Sequence, residues 1–326
     1  MGRSSLYWNV LIRGYSQPKR SRSAWHYHDE GHQDATDGQP VPTFIVDPEG
    51  NRRAAKNCPS YLCFSTQVMD LYLTRSGYHA GFHMRTWGGA TSPHGSVDIG
   101  VNSRELLNAF MPDIAKLPVQ EQMHWASHSV LPDGEVCWAM FETRMQLNPP
   151  HLPGVIELMT DAFNGLVDTV QSRFGIQLSE RVDDLPSDSG RLSIGPIRGD
   201  FSEVADLAVP LYAWVIERLQ VAQLKSLLNA RSVAFEKSAR QLALLRSLLT
   251  NVGGTAEPEA KTILGPLDAL NELRNKAAHI AKPDYAAILP RLNLSAMPAT
   301  PRRYWDAVVD AVANSLNQVT ERIKLA

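Results

Sequence analysis

Apolar positions along the chain change period near its middle. Leu6 to Arg13 is rich in aromatic and branched residues, which favours a strand. Pro42 to Val46 followed by Asp47-Pro48-Glu49-Gly50 predicts a strand and then a turn. Further short strands are expected at Tyr61 to Phe64, Gly81 to Arg85 and Ser96 to Val101. Thr86-Trp87-Gly88-Gly89 reads as a tight turn. From Glu105 to His128 the spacing becomes helical, in two pieces divided at Pro112 and Pro118. A longer helix from Val155 to Phe174, capped by Gly175, closes this α+β half.

Two polar stretches punctuate the chain. Residues 17–42 hold almost no aliphatic side chain and predict an exposed loop. Residues 179–199, rich in Ser, Asp, Gly and Pro, are the expected linker between a domain over 1–178 and another over 200–326. The second domain is helical throughout. Asp200 and Glu203 resemble a capping box, and Phe201, Val204, Ala208, Leu211, Val215 and Leu219 make one apolar stripe that Pro210 should kink. A second stripe runs from Leu224 through Leu228, Phe235, Leu242 and Leu245 to Leu249, ending at Gly253-Gly254. A third helix starts at Pro266, and a fourth follows Thr300-Pro301 and buries Trp305, Val308, Val312, Leu316, Val319 and Ile323. Four helices with short connections describe a bundle.

The 326 residues allow two ordinary cores. A net charge of −2 supplies no global positive field, so any nucleic-acid contact must be a local groove. Three cysteines, Cys58, Cys63 and Cys137, form no disulfide framework and suit a reducing compartment. The first residues lack the apolar core of a signal peptide, and no apolar run approaches the roughly 18–20 residues that span a bilayer. A cytoplasmic protein without membrane contact is expected.

Several constellations carry little chemistry. His26, His28, Asp29 and His32 are close in sequence but follow no complete zinc pattern. His124 and His128 lie one helical turn apart without a third ligand, and Trp125 between them points to packing. Cys58 and Cys63 lack a second cysteine pair. No metal or other cofactor is therefore expected. Lys19, Arg20 and Arg22 precede Trp25 and Tyr27, a mixture of charge and rings that suits RNA.

The segment richest in chemistry is Leu270-Asn271-Glu272-Leu273-Arg274-Asn275-Lys276-Ala277-Ala278-His279. A guanidinium can hold a phosphodiester, and an imidazole can move protons at its oxygens near neutral pH. The bare spacing of Arg to His also occurs at Arg20 with His26, Arg22 with His28 and Arg144 with His151. Only the Arg274 pair sits on a predicted helix in an all-helical domain with Asn directly after the Arg. At about 100° per residue, Leu267, Leu270, Leu273, Ala277 and Ile280 share the core face. Asp268, Asn271, Asn275 and His279 then point away from the core, and Arg274 falls at the edge. Such a histidine is either idle or facing another molecule.

Residues 200–326 resemble the HEPN superfamily of helical domains, whose ribonucleases carry an Arg, often a polar neighbour, four to six spacers and a His. Arg274, Asn275 and His279 match that pattern. The resemblance implies a homodimer with a composite site and metal-independent RNA cleavage. Arg274 would stabilise the phosphorane, His279 would act as acid or base or orient the phosphate, and Asn275 would position one of these groups. Lys276 is a further RNA contact in that scheme. The implied role is a toxin or antiviral defence effector, with an antitoxin or regulatory protein as a further partner. The competing expectation is a non-catalytic module that dimerises and binds a nucleotide or protein. An ordinary helix end explains the same residues differently: Lys276 would pair with Glu272, and Lys276 and His279 would complement the macrodipole.

Overall fold

The computed structural model describes residues 44–46, 52–54, 61–114, 116–148, 150, 152–182, 188–277 and 285–326. It divides into two units, Met1–Gly154 and Val155–Ala326. The expected strand at Leu6 to Arg13 and the loop at 17–42 lie outside the described residues.

In the first unit β1 (Phe44–Val46) pairs antiparallel with β2 (Arg52–Ala54), and the turn expected at Asp47 to Gly50 lies outside the described residues. The main sheet is antiparallel, in the order β4 (His79–Phe82), β5 (Trp87–Ser92), β6 (Gly95–Val101), β7 (Leu107–Phe110), β3 (Tyr61–Phe64), β8 (Ser129–Val130). Every residue of β3 is buried. Around the sheet lie α1 (Asp70–Thr74), α2 (Met111–Ile114), α3 (Val119–Ser127) and α4 (Trp138–Gln146).

Two expectations in this unit fail for one reason: sheet neighbours outrank local pattern. Trp87-Gly88-Gly89 is a strand and not a turn. Its glycines permit close approach of β4, because a Cβ on Gly88 would lie 2.0 Å from the Gly81 carbonyl oxygen. Leu107 to Phe110, read as helical, is a strand between β6 and β3. Its buried Asn108 accepts the Cys137 N–H at 2.8 Å and donates to Cys63 Sγ at 3.2 Å.

The second unit is helical: α5 (Val155–Phe174), α6 (Ser189–Ile194), α7 (Ser202–Tyr212), α8 (Val221–Ala230), α9 (Gln241–Asn251), α10 (Glu257–Ala277), α11 (Tyr285–Ile288) and α12 (Pro301–Leu325). The boundary therefore lies at Gly154, ahead of the expected linker. Helix α5 packs along α12, and Met159, Phe163, Leu166 and Val170 join the same core as Val308, Val312 and Leu316. The described parts of the polar stretch at 179–199 are also built into this unit. Trp305 Nε1 donates to the Leu192 carbonyl at 3.0 Å, and Arg302 Nη1 donates to that of Ile194 at 2.6 Å. Glu203, expected in a capping box with Asp200, stands in the first turn of α7. Its buried carboxylate accepts the Ile197 and Arg198 N–H groups.

A simple four-helix bundle is too few elements for this unit. The second stripe is two helices, α8 and α9, and the third helix starts at Glu257, nine residues before Pro266. Pro266 lies inside α10 with no N–H for the ladder, and Gly265 before it eases the clash between the proline ring and the preceding residue. A Cβ on Gly265 would also come within 3.3 Å of the Arg291 carbonyl oxygen. The expected apolar face of the last helix is buried from Trp305 to Ile323.

Candidate functional site at the end of helix α10

Helix α10 buries Leu267, Leu270 and Leu273, as its period demands. Asn275 is exposed, while Arg274 and Lys276 are half-buried. Arg274 falls at the edge between the two faces. Its guanidinium carbon stands 4.7 Å from the centre of the Tyr212 ring, and Nη2 donates to Glu217 Oε1 at 2.5 Å. The two charged side chains retain 37% and 44% exposure. Burial pushes the Tyr212 phenol above its ordinary pKa, against the pull of the Arg274 charge.

A break in helical regularity brings Tyr212 and Glu217 together. Pro210 lies inside α7 and has no N–H for the ladder. The chain then runs on as one π-helical segment, Ala213–Glu217. Residues five apart are about 140° apart around an α-helix but stack in a π-turn, whose hydrogen bonds span five residues. The expected kink at Pro210 is thus followed by a change of register. Neither Tyr212 nor Glu217 was legible as a site residue, and Pro210 within an apolar stripe is the one local sign of the change.

Lys276 donates to Glu272 at 3.0 Å, and Glu272 also accepts from Arg291. The hydrogen bonds from Arg291 and then Lys276 hold the Glu272 carboxyl below its ordinary pKa. The helix-end pairing of Lys276 with Glu272 is therefore present. His279 lies outside the described residues, as do Lys19, Arg20 and Arg22, and the His26–His32 group with Cys58.

No family model, curated protein or solved structure matches this chain.

Other sequence candidates resolve into packing. Arg144, which shares the Arg-to-His spacing, is braced by Asp98 and Asp113 and lies over the Phe110 ring at 4.3 Å. His124 Nε2 is 2.9 Å from the Val68 carbonyl oxygen, and its ring is 4.7 Å from that of His128. Burial is the largest influence on His124 and lowers its pKa, with the His128 charge acting in the same direction. Cys63 and Cys137 are buried free thiols. Among the described residues no group of three or more His, Cys, Asp or Glu could hold a metal ion. No helix among them is long and apolar enough to cross a membrane.

Proposed function

We propose that the helical unit is a HEPN-like, metal-independent endoribonuclease, acting in the cytoplasm as a homodimer whose two Arg274–His279 faces form one site. The observation carrying this reading is the setting of Arg274. It is oriented by a ring on one side, remains over a third exposed, and has the exposed amide of Asn275 beside it. A guanidinium so held can meet a phosphodiester with two parallel donors. In the proposed reaction the ribose 2′-oxygen bonds to phosphorus and the P–O5′ bond breaks. One His279 of the dimer takes the proton from the 2′-hydroxyl and the other gives one to O5′, leaving a 2′,3′-cyclic phosphate and a 5′-hydroxyl. Arg274 balances the charge that gathers on the phosphorane oxygens. A toxin or defence effector, restrained by an antitoxin or regulatory protein, is the role that fits such an enzyme.

Glu217 favours a second reading. A guanidinium already paired within its own fold also suits a dimerising module that binds a nucleotide or protein without cleaving. One experiment separates the two. Purified protein in EDTA should cleave a panel of structured and single-stranded RNAs, and Arg274→Ala or His279→Ala should lower the rate at least about a hundredfold while folding and dimerisation persist. An intact panel favours the binding module. Cleavage that needs a metal and survives both substitutions removes the nuclease assignment.

A further inference from the structure

Tyr212 and Glu217 form a two-part cradle around Arg274, and the two parts differ in how firmly they hold. Tyr212 is 8% exposed, so its ring is a fixed platform set into the core. Glu217 and Arg274 are both substantially exposed, and an ion pair of that kind is worth only about 0–1 kcal/mol. A cation over a ring at 4.7 Å adds a comparable attraction without using any N–H donor. Among the described residues, Glu217 takes one hydrogen bond from a group that has five N–H donors. A carboxylate oxygen at 2.5 Å occupies the position that a phosphate oxygen takes in an Arg–phosphate pair.

We infer that Glu217 is a removable counter-ion standing in for the substrate phosphate, and that Tyr212 is the positioning residue that keeps the guanidinium in place when Glu217 is displaced. The inference rests on reading Arg274 as the phosphate-binding residue. RNA binding is then an exchange, in which a phosphodiester oxygen takes the Nη2 hydrogen bond and Glu217 returns to water. The exchange keeps Arg274 neutralised between encounters, so this site presents no bare guanidinium to non-substrate polyanions. The π-turn is what makes this possible, because regular α-helix would place Glu217 about 140° away from Tyr212.

The test uses the full chain and a single-stranded oligonucleotide with 2′-O-methyl groups throughout, which lacks the attacking hydroxyl and can only bind. Glu217→Gln should tighten binding about fivefold over wild type, and the slope of log K against log salt should steepen by up to about 0.7. In the Arg274→Ala background the same Glu217→Gln change should have no effect, since the gain works through that guanidinium. Tyr212→Leu should weaken binding several-fold, and Tyr212→Phe, which keeps the ring, should restore it. The inference is overturned if Glu217→Gln binds no more tightly, or if its gain survives without Arg274. It is equally overturned if Leu and Phe at 212 behave alike in proteins of equal stability. Cleavage of unmodified RNA is scored separately: Arg274-dependent binding without cleavage removes the nuclease reading and leaves the exchange standing.

Discussion

Arg274 could be singled out because its neighbours in sequence form a pattern, whereas Tyr212 and Glu217 could not. They lie 62 and 57 residues earlier in the chain (274 − 212 and 274 − 217), and no spacing rule links them to it. The same limit applies to Cys63. Its short strand was legible, but its chemistry depends on being sealed between β7 and β8. Burial pushes the Cys63 thiol up to about 12 from an ordinary 9.0, and the Asn108 hydrogen bond only partly offsets this. Between those values the folded chain keeps a proton that the unfolded chain releases, so stability falls as pH rises. Tyr285, also raised to about 12 by burial, acts in the same direction above 10. The urea midpoint should drop between pH 9 and 11, with Cys63 contributing up to about 1.4 kcal/mol per pH unit. Cys63→Ala should make the decline shallower. An unchanged slope would mean that the thiol titrates normally.

At the scale of elements, period and capping were reliable where a helix had one apolar face and a clear start. Helix α12 is the clearest case. Thr300 is extended and its side chain accepts the Arg303 N–H at 3.3 Å, Pro301 begins the first turn, and the apolar stripe runs to Ile323. Thr300→Ala should cost about 1 kcal/mol, visible as a lower melting temperature with unchanged helical content. Helix α10 shows the opposite outcome. Pro266 is a good first-turn residue and marked a false start, because the helix begins at Glu257 and runs through it. Strand β7 failed for a related reason. Its four residues fit a helical pattern taken alone and become a strand only with β6 and β3 on either side.

For the whole molecule, the two-part plan of mixed α/β followed by helices follows from the change in period, and the structure has that plan. The position of the division did not follow. A polar stretch is a sound linker signal only if nothing buried crosses it, and here Val182 and Leu192 join the helical core from within it. A fragment over residues 155–326 should therefore fold with a cooperative thermal transition. One over 200–326 should lack that transition, since it leaves bare the face of α12 that α5 covers. Equal cooperativity in both fragments would put the boundary back near residue 200.

By itself, the sequence determined the change from mixed α/β to helices, the apolar faces of the long helices, and Arg274 at the edge of one of them. Those features depend on local period and on groups a few residues apart, which a linear chain displays. Only the tertiary structure decided which strands are neighbours, where the core divides, and what holds Arg274. Each of these depends on residues distant in sequence meeting across packed elements. The π-turn after Pro210, which brings Tyr212 and Glu217 to one side, is the clearest instance.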